Sequence, residues 1–276
     1  MHYFHYEHDE LFCEGVPIRE IVEAHGTPIY VYSYGTIRRH FEVFGSAFSG
    51  MSHLVCYSLK ANSSLSILKI LRDLGSGADI VSGGELYKAL IAGIAPRKIV
   101  FSGVGKTEEE IREAVQKEIL MINVESEGEL EAISKIAKRL RKKAAVSFRI
   151  NPEIDPETHP YITTGLRENK FGIPFRHALE LYLRARRDPY LDVVGISSHI
   201  GSQILKLEPF RDATRSLRSL FLNLKEEGVD IRYIDIGGGL GITYKDELPP
   251  HPVEYASVIK EEISDLPITL ILEPGR

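Results

Sequence analysis

The sequence predicts an α/β fold, a (β/α)8 TIM barrel, from three observations. Eight short apolar runs are spread along the chain, stretches of helical periodicity separate most of them, and polar or glycine-rich segments follow several of their carboxyl ends. Strands that alternate with helices pair in parallel, and eight of them favour a closed barrel over an open sheet. Catalytic groups of this fold gather where the strands end.

The composition is that of an ordinary soluble globular protein. The chain has 276 residues, of which 43% are hydrophobic and 26% charged, enough to bury a full barrel core. A formal net charge of −5 gives no electrostatic basis for binding nucleic acid or an anionic membrane, so we exclude both as principal partners. Two cysteines cannot form a disulfide framework, and we expect neither a membrane span nor a signal peptide, which favours the cytoplasm.

The eight apolar runs are the predicted barrel strands. In chain order they cover 54–59, 78–81, 99–101, 120–124, 144–150, 193–197, 231–236 and 268–272. A further helical stretch, 36–48, precedes the first strand. Because the chain ends directly after the eighth run, we expect the eighth helix to be missing and part of the outer apolar surface of the barrel to be uncovered.

Capping boxes mark the helix starts after three of the strands. In this motif a hydroxyl, and a carboxylate three residues later, each satisfy a free backbone N–H at the start of a helix. The three pairs are Ser82–Glu85, Thr107–Glu110 and Ser126–Glu129. Three strands that are each followed by a capped helix predict a repeated βα unit.

Lys60 ends the first predicted strand. Because side chains alternate along a strand, Lys60 lies on the same side as Leu54 and Ser58, and it points into the barrel if Leu54 does. Burial is expected to lower the pKa of the amine and so to make it available for attack on a carbonyl. The alternative is a lysine whose charged end only reaches solvent at the strand end.

Four glycines follow the seventh strand, namely Gly237, Gly238, Gly239 and Gly241. Glycine lets the backbone approach an anion closely, and a phosphate site after strands seven and eight recurs in this fold. A tight turn is the alternative, but it needs only one or two glycines. We therefore predict a phosphate site here.

His199 and Glu273 end the sixth and eighth strands. A hydroxyl and an amide, Ser202 and Gln203, follow His199, and a flat imidazole would suit a flat aromatic cofactor; a structural histidine is the alternative. Glu273 either forms an ion pair with Arg276 or holds a proton on a ring nitrogen. The residues alone leave both roles of Glu273 open.

The connection 151–174 is long enough to predict an active-site loop, and it contains the polar string 158–165. Asp79 and Arg149 lie near strand ends and could support the reacting groups. No metal site is predicted, because the evenly spaced histidines near the N-terminus lack acidic or thiolate ligands; these are His2, His5 and His8.

Together these segments resemble the fold type III pyridoxal phosphate decarboxylases, whose barrel is of the alanine-racemase-like type. The resemblance covers essentially the whole chain and rests on the segments 57–62, 77–86, 199–203, 237–239 and 273–276. Within the family, 158–165, 169–173 and Gln203 are most similar to the enzymes that decarboxylate diaminopimelate. The order and spacing of the motifs are specific to the family.

The resemblance implies pyridoxal 5'-phosphate as the cofactor. It implies that Lys60 carries the cofactor as an imine, His199 stacks on the ring, Glu273 keeps the ring nitrogen protonated, and Arg276 also binds a substrate carboxylate. The residues implied at the cofactor are Lys60, Asp79, His199, Ser202, Gly237, Gly238, Gly239, Glu273, Gly275 and Arg276. The implied reaction converts meso-2,6-diaminopimelate to L-lysine and carbon dioxide, a step of lysine biosynthesis.

Members of this family carry a β-rich domain after the barrel. It supplies a cysteine proton donor and, partly across a dimer interface, substrate contacts. The resemblance therefore implies that residues 1–32 pair with such a domain, that 33–276 form the barrel, and that the complete protein is a homodimer. Cys13 and Cys56 do not match the motif of the donor, which is expected outside this chain.

Three other functions remain open on the sequence alone. They are a decarboxylase of ornithine or arginine, a fold type III racemase, and a non-catalytic barrel that binds pyridoxal phosphate. A racemase needs a second acid–base residue on the opposite face of the ring, and none is identifiable. A non-catalytic barrel is favoured by the end of the chain before the β domain.

Overall fold

The computed structural model describes residues 2–152 and 171–275. A small antiparallel sheet and a helix form the N-terminal part: β1 (Phe4–Glu7), β2 (Glu10–Cys13), β3 (Val16–Pro17) and α1 (Ile18–His25). Few side chains of this part are buried, since Tyr6 keeps 73% of its surface exposed and no residue of α1 is buried.

Eight parallel strands among the described residues close into a barrel, which confirms the predicted fold class. They and one short outer strand are β4 (His53–Ser58), β5 (Gly77–Ile80), β6 (Ile99–Phe101), β7 (Met121–Val124), β8 (Ala144–Asn151), β9 (Ile173–Pro174, the outer strand), β10 (Leu191–Ser197), β11 (Tyr233–Asp235) and β12 (Thr269–Leu272). β12 pairs with β4, and β8 pairs with β10 as well as with β9, so the ring closes without an edge. Each predicted strand is present, with ends shifted by at most two residues.

Helices surround the barrel. They are α2 (Tyr34–Ala47), α3 (Leu65–Asp73), α4 (Gly83–Ile91), α5 (Glu108–Lys117), α6 (Glu127–Leu140), α7 (Phe175–Arg186), α8 (Glu208–Glu226) and α9 (Pro252–Ile263), with one 3-10 turn at Pro96–Lys98. From α3 onward, each helix connects one barrel strand to the next. In the ranges 2–152 and 171–275, no helix combines the length and the apolar character needed to cross a lipid bilayer.

Helix α2 fills the eighth helical position of the ring. It precedes the first barrel strand, yet it packs against α9 on one side and α3 on the other. Phe48, which follows it, is fully buried, and its ring meets that of Tyr255 edge-on at 5.8 Å between centroids. The expectation of an uncovered strip of barrel surface is therefore wrong for the described residues, because an upstream helix covers it.

The barrel interior forms an apolar cluster separate from the larger core between strands and helices. Its buried members are Cys56, Val100, Leu120, Met121, Val194 and Ile271. On β4, Val55 belongs to the outer core and Cys56 to the interior, so Ser58 and then Lys60 lie on the inner side.

The capping box is complete at Thr107 only among the three predicted helix starts. At the other two, the serine hydroxyl accepts a backbone N–H as predicted. The carboxylates of Glu85 and Glu129, however, accept from the N–H one residue before the cap, that of Val81 at 2.7 Å and that of Glu125 at 3.1 Å. Both helix starts are thereby tied to the preceding strand end.

Candidate active site

Polar side chains fill the barrel interior at the carboxyl ends of the strands. The buried members are Ser58, Asp79, Asn123, Ser147, Ser197, Asp235 and Glu273. Among the described residues, no hydrogen-bond partner is present for the hydroxyls of Ser147 and Ser197 or for one side-chain oxygen each of Asp79 and Asn123. Because buried polar atoms normally have partners, this layer has bonding capacity for a bound group or for water.

Lys60 forms an ion pair with Asp79 at the barrel mouth. Its Nζ donates to Asp79 Oδ2 at 2.9 Å, and Ser58 Oγ donates to the same oxygen at 2.6 Å. The side chain of Asp79 is fully buried, whereas 52% of the Lys60 side chain is exposed. A molecule that enters the mouth can therefore reach the amine while the carboxylate stays behind it.

The pKa of Lys60 is raised in this arrangement. Partial burial acts to lower it, but attraction to Asp79 and Glu273 and the hydrogen bond to Asp79 outweigh that effect. The expected lowering of the Lys60 pKa is thus wrong as a net result, because attraction to the neighbouring carboxylates outweighs the effect of burial. Lys60 rests as an ammonium group and must lose a proton before it can attack a carbonyl.

Glu273 and Asp235 form a carboxyl pair beside Asp79. Burial raises the pKa of Asp235 to about 6, against hydrogen bonds from Glu273, Gly237 and Asn123 that lower it. Burial, then repulsion by Asp235 and Asp79, raise the pKa of Glu273 well above its usual range. The hydrogen bond between them lowers the pKa of Asp235 and raises that of Glu273, so a proton shared by the pair lies on Glu273.

His199 lies next to the glycine run. Burial, with repulsion by Arg149 and Lys60, lowers the pKa of His199 to about 3, so the ring is neutral at physiological pH. The N–H of Gly238 donates to His199 Nδ1 at 3.3 Å, which assigns the ring proton to Nε2. A neutral imidazole with a fixed tautomer is suited to packing against an aromatic ring.

The run Gly237–Gly239 makes close contacts within the protein itself. A Cβ at Gly237 would lie 2.5 Å from His199 Nδ1, one at Gly238 would lie 2.4 Å from the carbonyl oxygen of Glu273, and one at Gly239 would lie 2.4 Å from that of Gly201. Each glycine is therefore required for the approach of a neighbouring strand end. Phosphate binding at the run stays a prediction beside this structural reason.

The loop after β10 and the loop after β11 are joined to each other. Ile204 N donates to Gly239 O at 2.9 Å, and Gly241 N donates to Ile204 O at 2.9 Å. The side-chain amide of Gln203 extends the pairing, because its Oε1 accepts from Ile242 N at 3.0 Å and its Nε2 donates to Ile242 O. The predicted phosphate site thus lies between two loops that hold each other in place.

Replacement of Gly239 by alanine is expected to destabilise the protein. Its φ is +106°, and the new Cβ would meet the carbonyl oxygen of Gly201, so the free energy of unfolding should fall by about 1–3 kcal/mol. Gly45→Ala in α2 is the matched control, because its Cβ meets open space and alanine favours a helix. Urea unfolding measures both variants, and equal losses of stability would contradict the role given to Gly239.

Arg149 lies at the end of β8 and pairs with Glu125. Its guanidinium donates to Glu125 Oε1 at 2.7 Å, and Gly172 N donates to Glu125 Oε2 at 2.9 Å. The guanidinium also lies 5.2 Å from the ring centroid of Phe171. The pair therefore anchors the chain where it enters β9, next to the site.

The structure brings most of the predicted site residues to one mouth. Ser202 is exposed there on the loop after β10, and Gly275 lies against Ser58 and Ala61, where a Cβ would be 3.5 and 3.2 Å from their Cβ atoms. Arg276 and the polar string 158–165 lie outside the described residues.

Sequence reasoning assigned no role to several groups of the site, which are Ser58, Ser102, Asn123, Glu125 and Asp235. Each stands at or near the end of a barrel strand, and alternation places most of them on the inner side. Their positions at strand ends and the alternation of side chains were therefore the features of the sequence that could have identified them. Their partners come from other strands, so the bonds they form could not be read along the chain.

A family model and individual known proteins place this chain in the same family. The family model described as "Pyridoxal-dependent decarboxylase, pyridoxal binding domain" matches residues 34–276. Diaminopimelate decarboxylase of Vibrio cholerae is 51% identical over 278 residues, which cover 100% of this chain and 67% of that protein. The enzyme of the same name from Haemophilus influenzae is 47% identical over 277 residues, with the same coverage.

A solved structure agrees with these relatives. Diaminopimelate decarboxylase from Helicobacter pylori, crystallised with L-lysine, superposes with a TM-score of 0.91 at 47% identity. The match covers 94% of this chain and 66% of that one. The chain thus spans about two thirds of the length of the relatives that it matches.

Proposed function

This chain belongs to the pyridoxal-dependent decarboxylases, and within them to the diaminopimelate decarboxylases, and on that premise we propose that it forms the cofactor-binding barrel of an enzyme that converts meso-2,6-diaminopimelate to L-lysine and carbon dioxide. The identity of 51% that extends over the whole chain, site loops included, carries the proposal. The complex of the Helicobacter pylori relative with L-lysine, the proposed product, supports it.

Pyridoxal phosphate is the cofactor of this family, and the described residues fit it. The group needs an amine that a ligand can reach, a cradle of backbone for its phosphate, and a carboxyl group for its ring nitrogen. Lys60 is half exposed at the mouth, glycine loops line one side, and Glu273 lies within electrostatic reach of Lys60. When bound, the cofactor supplies a ring that accepts the electron pair left as carbon dioxide departs.

Each side chain has a role in the proposed site that its surroundings support. Lys60 attaches the cofactor, and Asp79, its ion-pair partner, holds the amine in place. His199 presents a neutral flat face, Glu273 holds a proton for the ring nitrogen, and Ser202 joins the Gly237–Gly239 backbone at the phosphate. The roles predicted for Gly275 and Arg276, at the phosphate and at the substrate carboxylate, complete the proposal.

Attachment of pyridoxal phosphate to Lys60 is expected to become faster as pH rises. Only the neutral amine attacks, and its fraction falls about tenfold for each pH unit below the raised pKa. Asp79→Asn removes the anion that holds the proton, so the pKa of Lys60 should fall and the rate profile should move to lower pH. Stopped-flow absorbance measures the profile. Asp73→Asn, an exposed carboxylate on α3, is the control, and identical profiles for both variants would contradict the assignment.

The proposed reaction is tested with the product of the complete reading frame that encodes this chain. Incubation with pyridoxal phosphate and meso-2,6-diaminopimelate should release L-lysine and carbon dioxide in equal amounts, and omission of the cofactor should stop both. Ornithine and arginine are supplied in parallel. Faster release of carbon dioxide from either of them would replace diaminopimelate as the substrate, and inversion without carbon dioxide release would indicate a racemase.

We also propose a cytoplasmic homodimer in which residues 1–32 pair with a β domain outside this chain. The small sheet β1–β3 supports the pairing, because Tyr6 and Val16 remain 73% and 44% exposed on it. Sedimentation of the complete product should show a dimer. A stable, fully active monomer would contradict this assembly.

A further inference from the structure

A chain of hydrogen bonds connects Glu273 to three other strand ends. Ser102 Oγ donates to Glu273 Oε1 at 2.9 Å, and Asn123 Nδ2 donates to Ser102 Oγ at 3.0 Å. Asn123 Nδ2 also donates to Asp235 Oδ2 at 2.9 Å. The two carboxyl groups also interact with each other, and this interaction lowers the pKa of Asp235 through a hydrogen bond and raises that of Glu273.

The directions of these bonds locate the protons. Both amide protons of Asn123 are used, one on Ser102 and one on Asp235, so the hydroxyl proton of Ser102 is left for Glu273. Gly237 N donates to the other oxygen of Asp235 at 2.9 Å. Asp235 thus accepts on both oxygens, as a carboxylate does, and the proton between the pair stays with Glu273.

We propose that Asp235 is a positioning residue for Glu273. Its negative charge holds one proton on Glu273, while Ser102 and Asn123 fix the orientation of that carboxyl group. The inference rests on the proposed function, in which Glu273 meets the ring nitrogen of the cofactor. When the cofactor ring is bound, the negative charge of Asp235 favours protonation of the ring nitrogen, although Asp235 itself does not contact the ring.

Four other titratable groups interact with the pair, namely Asp79, Lys60, Cys56 and Tyr255. Asp79 on β5 adds negative charge, and Lys60 beyond β4 adds positive charge. Burial, and then repulsion by Asp235, raise the pKa of Cys56 on β4 and of Tyr255 on α9, so both side chains stay neutral. Among the charged groups, Asp235 is the one whose charge contributes most to the raised pKa of Glu273.

The test is an infrared titration of the product of the complete reading frame, prepared without cofactor. The carbonyl stretch of a protonated carboxyl group should be present at neutral pH and absent in Glu273→Gln, which assigns the band. Asp235→Asn removes repulsion from the Glu273 anion, so the titration midpoint of Glu273 should fall by at least about one pH unit. Asp192→Asn, an exposed carboxylate on β10 paired with Arg232, is the control and should leave the midpoint unchanged.

A second variant keeps the inference testable if Asp235→Asn does not fold. Ser102→Ala removes a donor to the Glu273 carboxylate, so its midpoint should rise, in the opposite direction. An unchanged midpoint in Asp235→Asn, or in Ser102→Ala where that variant stands in, overturns the proposal. Because the titration needs no cofactor, it is independent of whether the chain binds pyridoxal phosphate.

With ¹⁵N-labelled cofactor bound, the pKa of the ring nitrogen should also fall in Asp235→Asn, and an equal pKa would refute the effect on the ring.

Discussion

Replacement of Lys60 by alanine is expected to abolish covalent attachment of pyridoxal phosphate and to lower lysine release by at least about 10³-fold. The amine is the group that bonds to the cofactor, and Asp79, buried behind it, would be left with Ser58 as its remaining partner. The attachment is measured by borohydride reduction and peptide mapping, and the activity on the product of the complete reading frame. Circular dichroism checks that the variant is folded.

The matched control for Lys60 is Lys98, which stands at the opposite end of the barrel. Its Nζ donates to Gly75 O at 3.0 Å, and Lys98→Ala should keep both attachment and activity. The buried Lys106 is a poor alternative nucleophile, because its side chain is 1% exposed and its Nζ donates to three acceptors. Reduced cofactor found on a lysine other than Lys60 would contradict the assignment.

Replacement of Glu273 by glutamine is expected to lower lysine release by about 10²–10⁴-fold at saturating cofactor. Glutamine keeps the shape of the side chain but cannot exchange a proton with the ring nitrogen, so the ring would accept electrons less well. Cofactor binding should change much less than turnover, since the phosphate loops and Lys60 are untouched. Lysine release and the absorbance of the bound cofactor across pH measure the two effects separately.

Glu261→Gln on α9 is the control for Glu273→Gln. Glu261 is exposed and pairs with Arg211 at 2.6 Å, so loss of its charge should leave turnover unchanged. If Glu273→Gln retains full activity with an unshifted cofactor spectrum, the ring nitrogen must meet another group. A variant that loses cofactor altogether would instead assign Glu273 to binding.

Local patterns predicted much of the fold. Each strand was located to within two residues, because an apolar run and its flanking turn signals depend only on neighbouring residues. Helix α2 was also predicted as a helix, but its place between α9 and α3 was not. That place depends on which helices end up beside it when the ring closes, as the Phe48–Tyr255 contact shows.

The sequence predicted where the site residues lie better than it predicted which hydrogen bonds and ion pairs they form. Inward alternation placed Lys60 at the mouth, and the strand ends located His199 and Glu273. The pKa of Lys60 was predicted in the wrong direction, because burial was visible in the pattern while the charge of the burying groups was not. Asp79 lies 19 residues away in sequence, and Glu273 lies on the last strand.

The sequence by itself determined the strand order along the chain, the residues that face inward and the family motifs, since alternation and motif spacing are local properties. The tertiary structure decided how the inward groups share protons. Asn123 and Asp235 are 112 residues apart and Ser102 and Glu273 are 171 apart, and closure of the ring brings each pair within 3 Å. Hydrogen bonding and electrostatic energy depend on distance in space, so the protonation of Glu273 and the resting charge of Lys60 follow from the barrel.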